Sequence, residues 1–252
     1  MVTNYSDRMV SLVLVGFGNV GRAVARLLLQ KNSELKSKYG LDVQVNGIIT
    51  GKHGSAIDPA GISLTRALEL AESGMPLDTL SSNPPPADPV EFIYACPADV
   101  MLESIPVNHH TGEPALTYLR TGIHKGMHAI TANKGPVVHG YAELTTLAAS
   151  RNRRFLFESA VMDGAPIFSL FRGSLPAVQA TGFQGILNSC TNLLLGMLED
   201  GKTLEEAIAH GQSIGITETD PSADIDGWDA AIKIAALSTV IMGIPLKPQQ
   251  VD

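Results

Sequence analysis

The chain has 252 residues, of which 44% are hydrophobic and 17% charged, and its formal net charge is -7. That length supports one or two packed domains, and the ordinary composition excludes a disordered or fibrous chain. The negative balance argues against a nucleic-acid partner, which requires a basic face.

Cys96 and Cys190 are far apart and fit no metal spacing, a usage suited to a reducing compartment. The N-terminus, MVTNYSDRMV, has no basic region followed by an apolar one, so no secretory signal is read. No stretch is long and uncharged enough to span a bilayer. The expectation is a cytoplasmic protein with no membrane partner.

The first informative stretch runs from Met9 to Leu29. An apolar run, Val10 to Val15, reads as a strand and meets glycines at Gly16, Gly18 and Gly21. A helical pattern follows, with Val20, Val24, Leu27 and Leu28 on one stripe. Strand, turn and helix form the setting in which a G-x-G-x-x-G spacing signifies a dinucleotide site. Gly16 permits the tight turn, Gly18 lets a pyrophosphate approach the backbone, and Gly21 lets the helix lie close to its strand. Free N–H groups of the first helical turn, with the helix dipole, favour the phosphates.

Val43 to Thr50 reads as a second strand, Gly51 to Gly61 as glycine-rich loop, and Ser63 to Ser73 as a short helix. An NAD-selective site usually carries Asp or Glu at the end of its second strand. Here no carboxylate follows until Asp58, whereas Lys52, His53 and Ser55 could receive a phosphate. The expectation is that NADP is accepted at least as well as NAD, with Lys52 contacting it. The plain alternative is an exposed loop lysine.

Asn83 to Pro89 is a proline-rich loop that cannot form a central strand. Glu91 to Ala95 (EFIYA) reads as a third strand, so Cys96 becomes a candidate for lining the nicotinamide pocket; a small core residue is the commoner outcome. Pro114 to Lys125 reads as a helix and Gly126 to Thr131 as a strand. The latter runs into Ala132, Asn133 and Lys134, beyond a strand's carboxyl end, where ligands gather in open α/β sheets. On spacing alone Lys134 is a solvated loop residue. Tyr141 to Ser150 reads as helix and Arg154 to Glu158 as strand.

This alternation predicts an α/β fold with a Rossmann-type parallel sheet. The character of the chain changes near Glu158. The expected division is a dinucleotide-binding domain over residues 1–157 and an α+β catalytic and dimerisation domain over residues 158–252. In the second part, Thr181 to Leu187 reads as a strand and Asn188 to Asp200 as a helix. Thr203 and Glu206 form a capping box for the next helix, which Gly215 ends.

A second informative stretch is GITETDPSADIDGWDAAIKIAAL, beginning at Gly215. Asp226 reads as the N-cap of a helix reaching Met242. Asp229 and Lys233 then stand at i and i+4 on one face. An exposed pair of this kind contributes a few tenths of a kcal/mol. This helix is apolar on nearly every side and should be buried, so the lysine needs a carboxylate partner or a substrate. His109 and His110 are adjacent but lack an evident third metal ligand.

Five segments taken together, GFGNVG at Gly16, TANKGP at Thr131, ESAVMDGAP at Glu158, GILNSCTN at Gly185 and GITETDPSADIDGWDAAIK at Gly215, resemble homoserine dehydrogenase and occur in that family's order. The resemblance implies interconversion of L-homoserine and L-aspartate 4-semialdehyde with NADP or NAD, in threonine and methionine biosynthesis. The second domain is too small to bury its sheet alone and is expected to pair with a copy of itself as a homodimer. The resemblance also implies that Gly16, Gly18, Asn19, Val20 and Gly21 cradle the dinucleotide. Glu218 and Asp224 would bind substrate. Asp229, Lys233 and Lys134 would form the catalytic centre, with Lys233 the first candidate for proton donor and Lys134 the second. Main-chain oxygens in the segment Glu158, Val161, Asp163 and Ala165 would hold a monovalent cation, usually sodium. The family usually continues past the segment ending here, so the second domain is expected to be incomplete. Two alternatives remain open: a related amino-acid or semialdehyde dehydrogenase, and a non-catalytic nucleotide-binding protein.

Overall fold

The computed structural model describes residues 8–162, 164–217 and 220–252. Strand β1 (Arg8–Val15) leads into helix α1 (Asn19–Tyr39) and then β2 (Leu41–Ile49). A short strand, β3 (Ser55–Ile57), folds back on β2, and α2 (Leu64–Glu72) follows. A 3₁₀ turn at Leu77–Leu80 and helix α3 (Pro89–Ala95) precede β4 (Val100–Glu103). Helix α4 (Ala115–Lys125), β5 (His128–Thr131), α5 (Lys134–Ser150) and β6 (Phe155–Leu156) complete the sheet.

The strand order is β3-β2-β1-β4-β5-β6. All neighbours run parallel except β2 and β3. The chain leaves β1 first toward β2 and later returns to its other side as β4. The carboxyl ends of β1 and β4 therefore flank a switch point, where such sheets bind ligands.

Residues of β1 alternate between two cores, as the two-residue period of a strand requires. Leu14 packs with Val45, Ile48, Leu68 and Leu77 on one face. Val13 and Val15 pack with Phe92, Met101, Leu119 and Ala129 on the other. Each buried Val, Leu, Ile, Phe or Met side chain contributes roughly 1.5–3 kcal/mol. Helix α1 turns a narrower face inward than its apolar pattern suggests: Gly21 and Ala25 are buried, whereas Val20 and Leu27 face solvent. A small-residue face lets the helix lie close on the sheet.

EFIYA is not a strand. Asp88 caps the N-terminus by accepting from the N–H groups of Val90 and Glu91, both at 2.9 Å, and Pro89 occupies the first turn, so the segment becomes α3. At its other end Lys125 donates to the carbonyls of Ile93, Tyr94 and Cys96, supplying a cation where a helix leaves carbonyls free. The strand lies a few residues later, at β4. Cys96 consequently does not follow a strand and does not line a ligand crevice. It is fully buried against Phe92 and Ile93, and burial pushes its thiol up to about 12.

After β6 the described residues form no strand; the segment expected as one, 181–187, is irregular. The described residues of the second part form helices and turns. It comprises a 3₁₀ turn at Glu158–Ala160 and α6 (Ile167–Ser169), which runs into a π turn at Leu170–Ser174. Helices α7 (Ser189–Glu199) and α8 (Leu204–Ser213) follow, the latter with the expected capping box. Helices α9 (Ser222–Ile225) and α10 (Trp228–Leu237) come last, followed by a π turn at Ser238–Met242 and a 3₁₀ turn at Pro248–Gln250. Asp226 ends α9 instead of capping a long helix; Gly227, at φ 77°, separates the two helices and caps α10. Ile232, Ala235, Ala236 and Leu237 of α10 join the core cluster beneath α4 and α5. No described helix is long and apolar enough to cross a membrane.

The contact between β2 and α3 is tight. A Cβ placed on Gly47 would lie 2.4 Å from Cys96 Sγ and 3.1 Å from Val13 Cγ2. Gly47→Ala should destabilise the fold by about 1–3 kcal/mol, lowering Tm by roughly 3–10 °C. Calorimetry of Gly47→Ala and of Gly47→Ala with Cys96→Ala tests this, because the second change removes the obstructing sulfur and should restore most of the loss.

Candidate active site

Three loops meet at the carboxyl edge of the sheet. The first follows β1. Gly16 has φ 102°, and a Cβ there would lie 2.9 Å from the carbonyl of Ser104 after β4. A Cβ on Gly21 would lie 2.5 Å from the Gly16 carbonyl oxygen. At Gly18 nothing lies within 4 Å, so the backbone there faces open space. Gly18 is the N-cap of α1 and offers no side-chain cap, leaving the N–H groups of Asn19 and Val20 without an intrahelical partner. Two glycines admit neighbouring backbone and the third leaves room for a ligand, a geometry that fits a dinucleotide pyrophosphate.

The second loop follows β4 and the third follows β5; one carboxyl group joins them. Glu103 is fully buried, accepts from Ile105 N–H at 2.7 Å, and is bonded to the Thr131 hydroxyl. Thr131 Oγ1 in turn accepts from Asn133 N–H at 2.9 Å. Asn133 caps α5 by accepting from Gly135 N–H at 2.9 Å. Lys134 is therefore the first residue of a helix, not a loop residue, and α5 begins seven residues before the sequence pattern suggests.

Helix α10 brings the third component. The Asp229 carboxylate binds Lys233 Nζ through Oδ2 at 2.6 Å and Lys134 Nζ through Oδ1 at 3.3 Å. The three side chains retain 15–21% of their exposure, so they border a site and are not sealed within the core. Burial pushes the Asp229 carboxyl upward. The Lys233 hydrogen bond, the two lysine charges and the Asn188 amide outweigh that and hold it below the ordinary carboxylate range. Lys233 also donates to the Leu187 carbonyl at 2.8 Å.

Asn188, which sequence reasoning assigned no role, connects the acidic groups. Its Nδ2 donates to Asp229 Oδ2 at 2.8 Å and to Asp224 Oδ1 at 2.6 Å, while its oxygen caps α7 by accepting from Thr191 N–H at 2.8 Å. The structure thus gathers Lys134, Asp224, Asp229 and Lys233. Glu218 and Asp163 lie outside the described residues. Cys190 is buried with its Sγ 3.2 Å from Thr217 Oγ1, and burial raises its thiol pKa despite its place at a helix start.

His109, also without an assigned role, lies near Lys134 and Asp229. Burial and then the Lys134 charge lower its pKa, and its Nδ1 is buried with no hydrogen-bond partner among the described residues. His110 stacks edge-on against Trp228 at 4.7 Å instead of joining a metal pair. Among the described residues no cluster of three His, Cys, Asp or Glu could hold a metal ion. The Glu158 carboxylate is committed to Ser169, accepting its N–H at 3.0 Å, and the Ala165 carbonyl accepts from Ile167 N–H at 2.9 Å. Val161 is buried in the same turn.

A doubly wound sheet with an open glycine turn, and a lysine–carboxylate centre beside the same strand ends, defines a dinucleotide-dependent oxidoreductase. The homoserine dehydrogenase family model matches residues 166–252. The chain is 33% identical to an NAD(+)-dependent homoserine dehydrogenase of Pseudomonas canavaninivorans, over 96% of this chain and 68% of that protein. It is 34% identical to a homoserine dehydrogenase of Methanocaldococcus jannaschii, over 93% of this chain and 70% of that one. Among solved structures, a hyperthermophilic archaeal homoserine dehydrogenase mutant in complex with NADPH superposes with TM-score 0.82 at 30% identity, covering 97% of this chain and 75% of that one. The chain belongs to the homoserine dehydrogenase family.

The raised pKa of Glu103, caused by burial, gives a pH signature. The folded state then holds this proton more tightly than the unfolded state, whose glutamate titrates near pH 4.3. The stability from Glu103 is fully present below that pH and declines as pH rises toward its folded-state value. Glu103→Gln keeps the shape without the charge. Denaturant unfolding between pH 4 and 8 should show a flatter decline for the variant, with its advantage over the parent growing toward pH 8.

Proposed function

We propose that this chain interconverts L-homoserine and L-aspartate 4-semialdehyde with NAD or NADP, using the centre formed by Lys134, Asp229 and Lys233. The observation that carries this reading is the sharing of one half-buried carboxylate by two ammonium groups beyond the carboxyl end of β5. When bound, the dinucleotide supplies the hydride chemistry and the protein supplies placement and charge.

The residues divide the substrate's groups by charge. The substrate ammonium suits the carboxylate of Asp224, which Asn188 fixes in place, together with Glu218. The substrate carboxylate and the reacting carbonyl suit the two lysines. An ammonium has three donors; Lys233 spends one on Asp229 and one on Leu187, leaving one for the reacting oxygen. In the reducing direction it donates a proton to that oxygen as negative charge develops there. In the oxidising direction the neutral amine takes the hydroxyl proton back. Asp229 orients the Lys233 ammonium through its 2.6 Å contact. Lys134 lies 3.3 Å from the other oxygen of Asp229, suited to holding the substrate carboxylate.

We extend the proposal to a monovalent cation such as sodium at main-chain oxygens of Glu158, Val161 and Ala165. The assembly proposed is a homodimer. Val178, Phe183, Ile186 and Leu195 are 54%, 43%, 70% and 60% exposed, an apolar surface suited to a second copy.

Two measurements test these readings. Steady-state assay of Lys233→Ala should show kcat lowered by about a hundredfold or more, the scale of losing a proton-transfer group, with dinucleotide affinity nearly unchanged. A kcat within a few-fold of the parent would pass the proton-transfer role to Lys134. Sedimentation velocity at micromolar concentration should give a dimer, and Ile186→Asp should shift it toward monomer. A parent that sediments as a monomer would refute the assembly.

A further inference from the structure

The residues directly after β2 contain no carboxylate before Asp58, but the fold brings one there from a distant segment. The 3₁₀ turn at Leu77–Leu80 docks on the turn after β2: Leu77 is fully buried, and its N–H donates to the His53 carbonyl at 2.8 Å. This places Asp78 at the mouth of the β2–β3 hairpin, where its Oδ1 accepts from Ser55 N–H at 3.0 Å. Gly54 makes the approach possible, since a Cβ there would lie 2.2 Å from Asp78 Oδ1.

Asp78 lines a cavity of about 510 Å³ whose other walls include Ile49, Thr50, Ser81, Ser82 and Pro84. Asp78 is the ionisable side chain of that lining, and the remaining polar side chains are hydroxyls and the Asn83 amide. Lys52 stands on the exposed turn and is not part of the lining. The cavity adjoins the glycine turn, because Gly16 N–H bonds the Ile49 carbonyl at 2.9 Å. In a doubly wound sheet the end of β2 receives the adenosine ribose of the dinucleotide.

We propose that Asp78 selects the dinucleotide in this chain. Its carboxylate accepts hydrogen bonds from the adenosine ribose hydroxyls of NAD and repels the 2′-phosphate of NADP. The inference rests on the dinucleotide reading above and reverses the preference expected from Lys52. Oδ1 is held by Ser55, so Oδ2 is the atom left for the ribose. The carboxylate reaches the position usually occupied by a residue at the end of β2, but it arrives from a turn 29 residues beyond Ile49.

Titration of NADH and NADPH, followed by the fluorescence of the bound nicotinamide, tests the proposal without requiring turnover. The parent should bind NADH at least tenfold more tightly than NADPH. Asp78→Asn retains an oxygen for Ser55 and loses the charge. It should bind NADPH three- to tenfold more tightly than the parent and NADH no more than threefold more weakly. Lys52→Ala should leave the ratio of the two affinities unchanged. A parent that prefers NADPH would overturn the proposal, as would an Asp78→Asn variant that changes both affinities equally or neither. A parent that binds one dinucleotide while Lys52→Ala alone alters the ratio would return selectivity to the lysine. Absence of binding by either dinucleotide would refute the dinucleotide reading itself.

Discussion

The centre of this molecule depends on one carboxylate. Asp229 neutralises two ammonium groups that are only 16% and 21% exposed, and neither lysine could be kept there charged and unpaired at small cost. The pairing within α10 follows from four-residue spacing. The pairing to Lys134 does not: it requires α10 to pack across the start of α5. That packing is apolar, through Ile232, Ala235 and Ala236 on the inner side of the helix. Hydrophobic burial therefore sets the position, and electrostatics makes use of it.

The sheet provides the other half of the constraint. The strands β1, β4 and β5 end side by side, and the loops beyond them are fastened by short polar links. Ser104 N–H extends the ladder to Val15 at 2.8 Å, and Glu103 fastens the end of β4 to Thr131 at the end of β5. A buried carboxyl in that position has no solvent to satisfy it, so its partners must stay in place. Through Thr131 and Asn133 the same fastening determines where α5 starts, and with it the direction of Lys134.

Features governed by local chemistry were legible in the residues. The glycine spacing, the capping box at Thr203, the Asp229–Lys233 pair and most sheet strands are decided within a few positions, and the structure contains them. The failures arose where distant context decides. EFIYA has the composition of a strand, but Asp88 and Pro89 start a helix there and Lys125 closes it. The start of α5 was hidden because KGPVV carries glycine and proline inside the first turn, where both are tolerated. Asn188 was visible as a helix start, yet its second function depends on two carboxylates more than thirty residues away. Asp78 left no signal near the site that it enters, since only the docking of its turn brings it there.

The environment of Asn188 links two parts of the molecule that are otherwise described separately. Residue 187 lends its carbonyl to Lys233 and residue 188 its amide to both acidic groups. The preceding residue, Ile186, is 70% exposed. The distance from that surface to the acceptor of Lys233 is one peptide unit along an irregular strip of chain. A displacement of this strip would alter the hydrogen bonding of Lys233 directly, with no helix or strand between to absorb it. The exposed side chain at Ile186 and the hydrogen bonding of Lys233 are, for this polypeptide, mechanically connected.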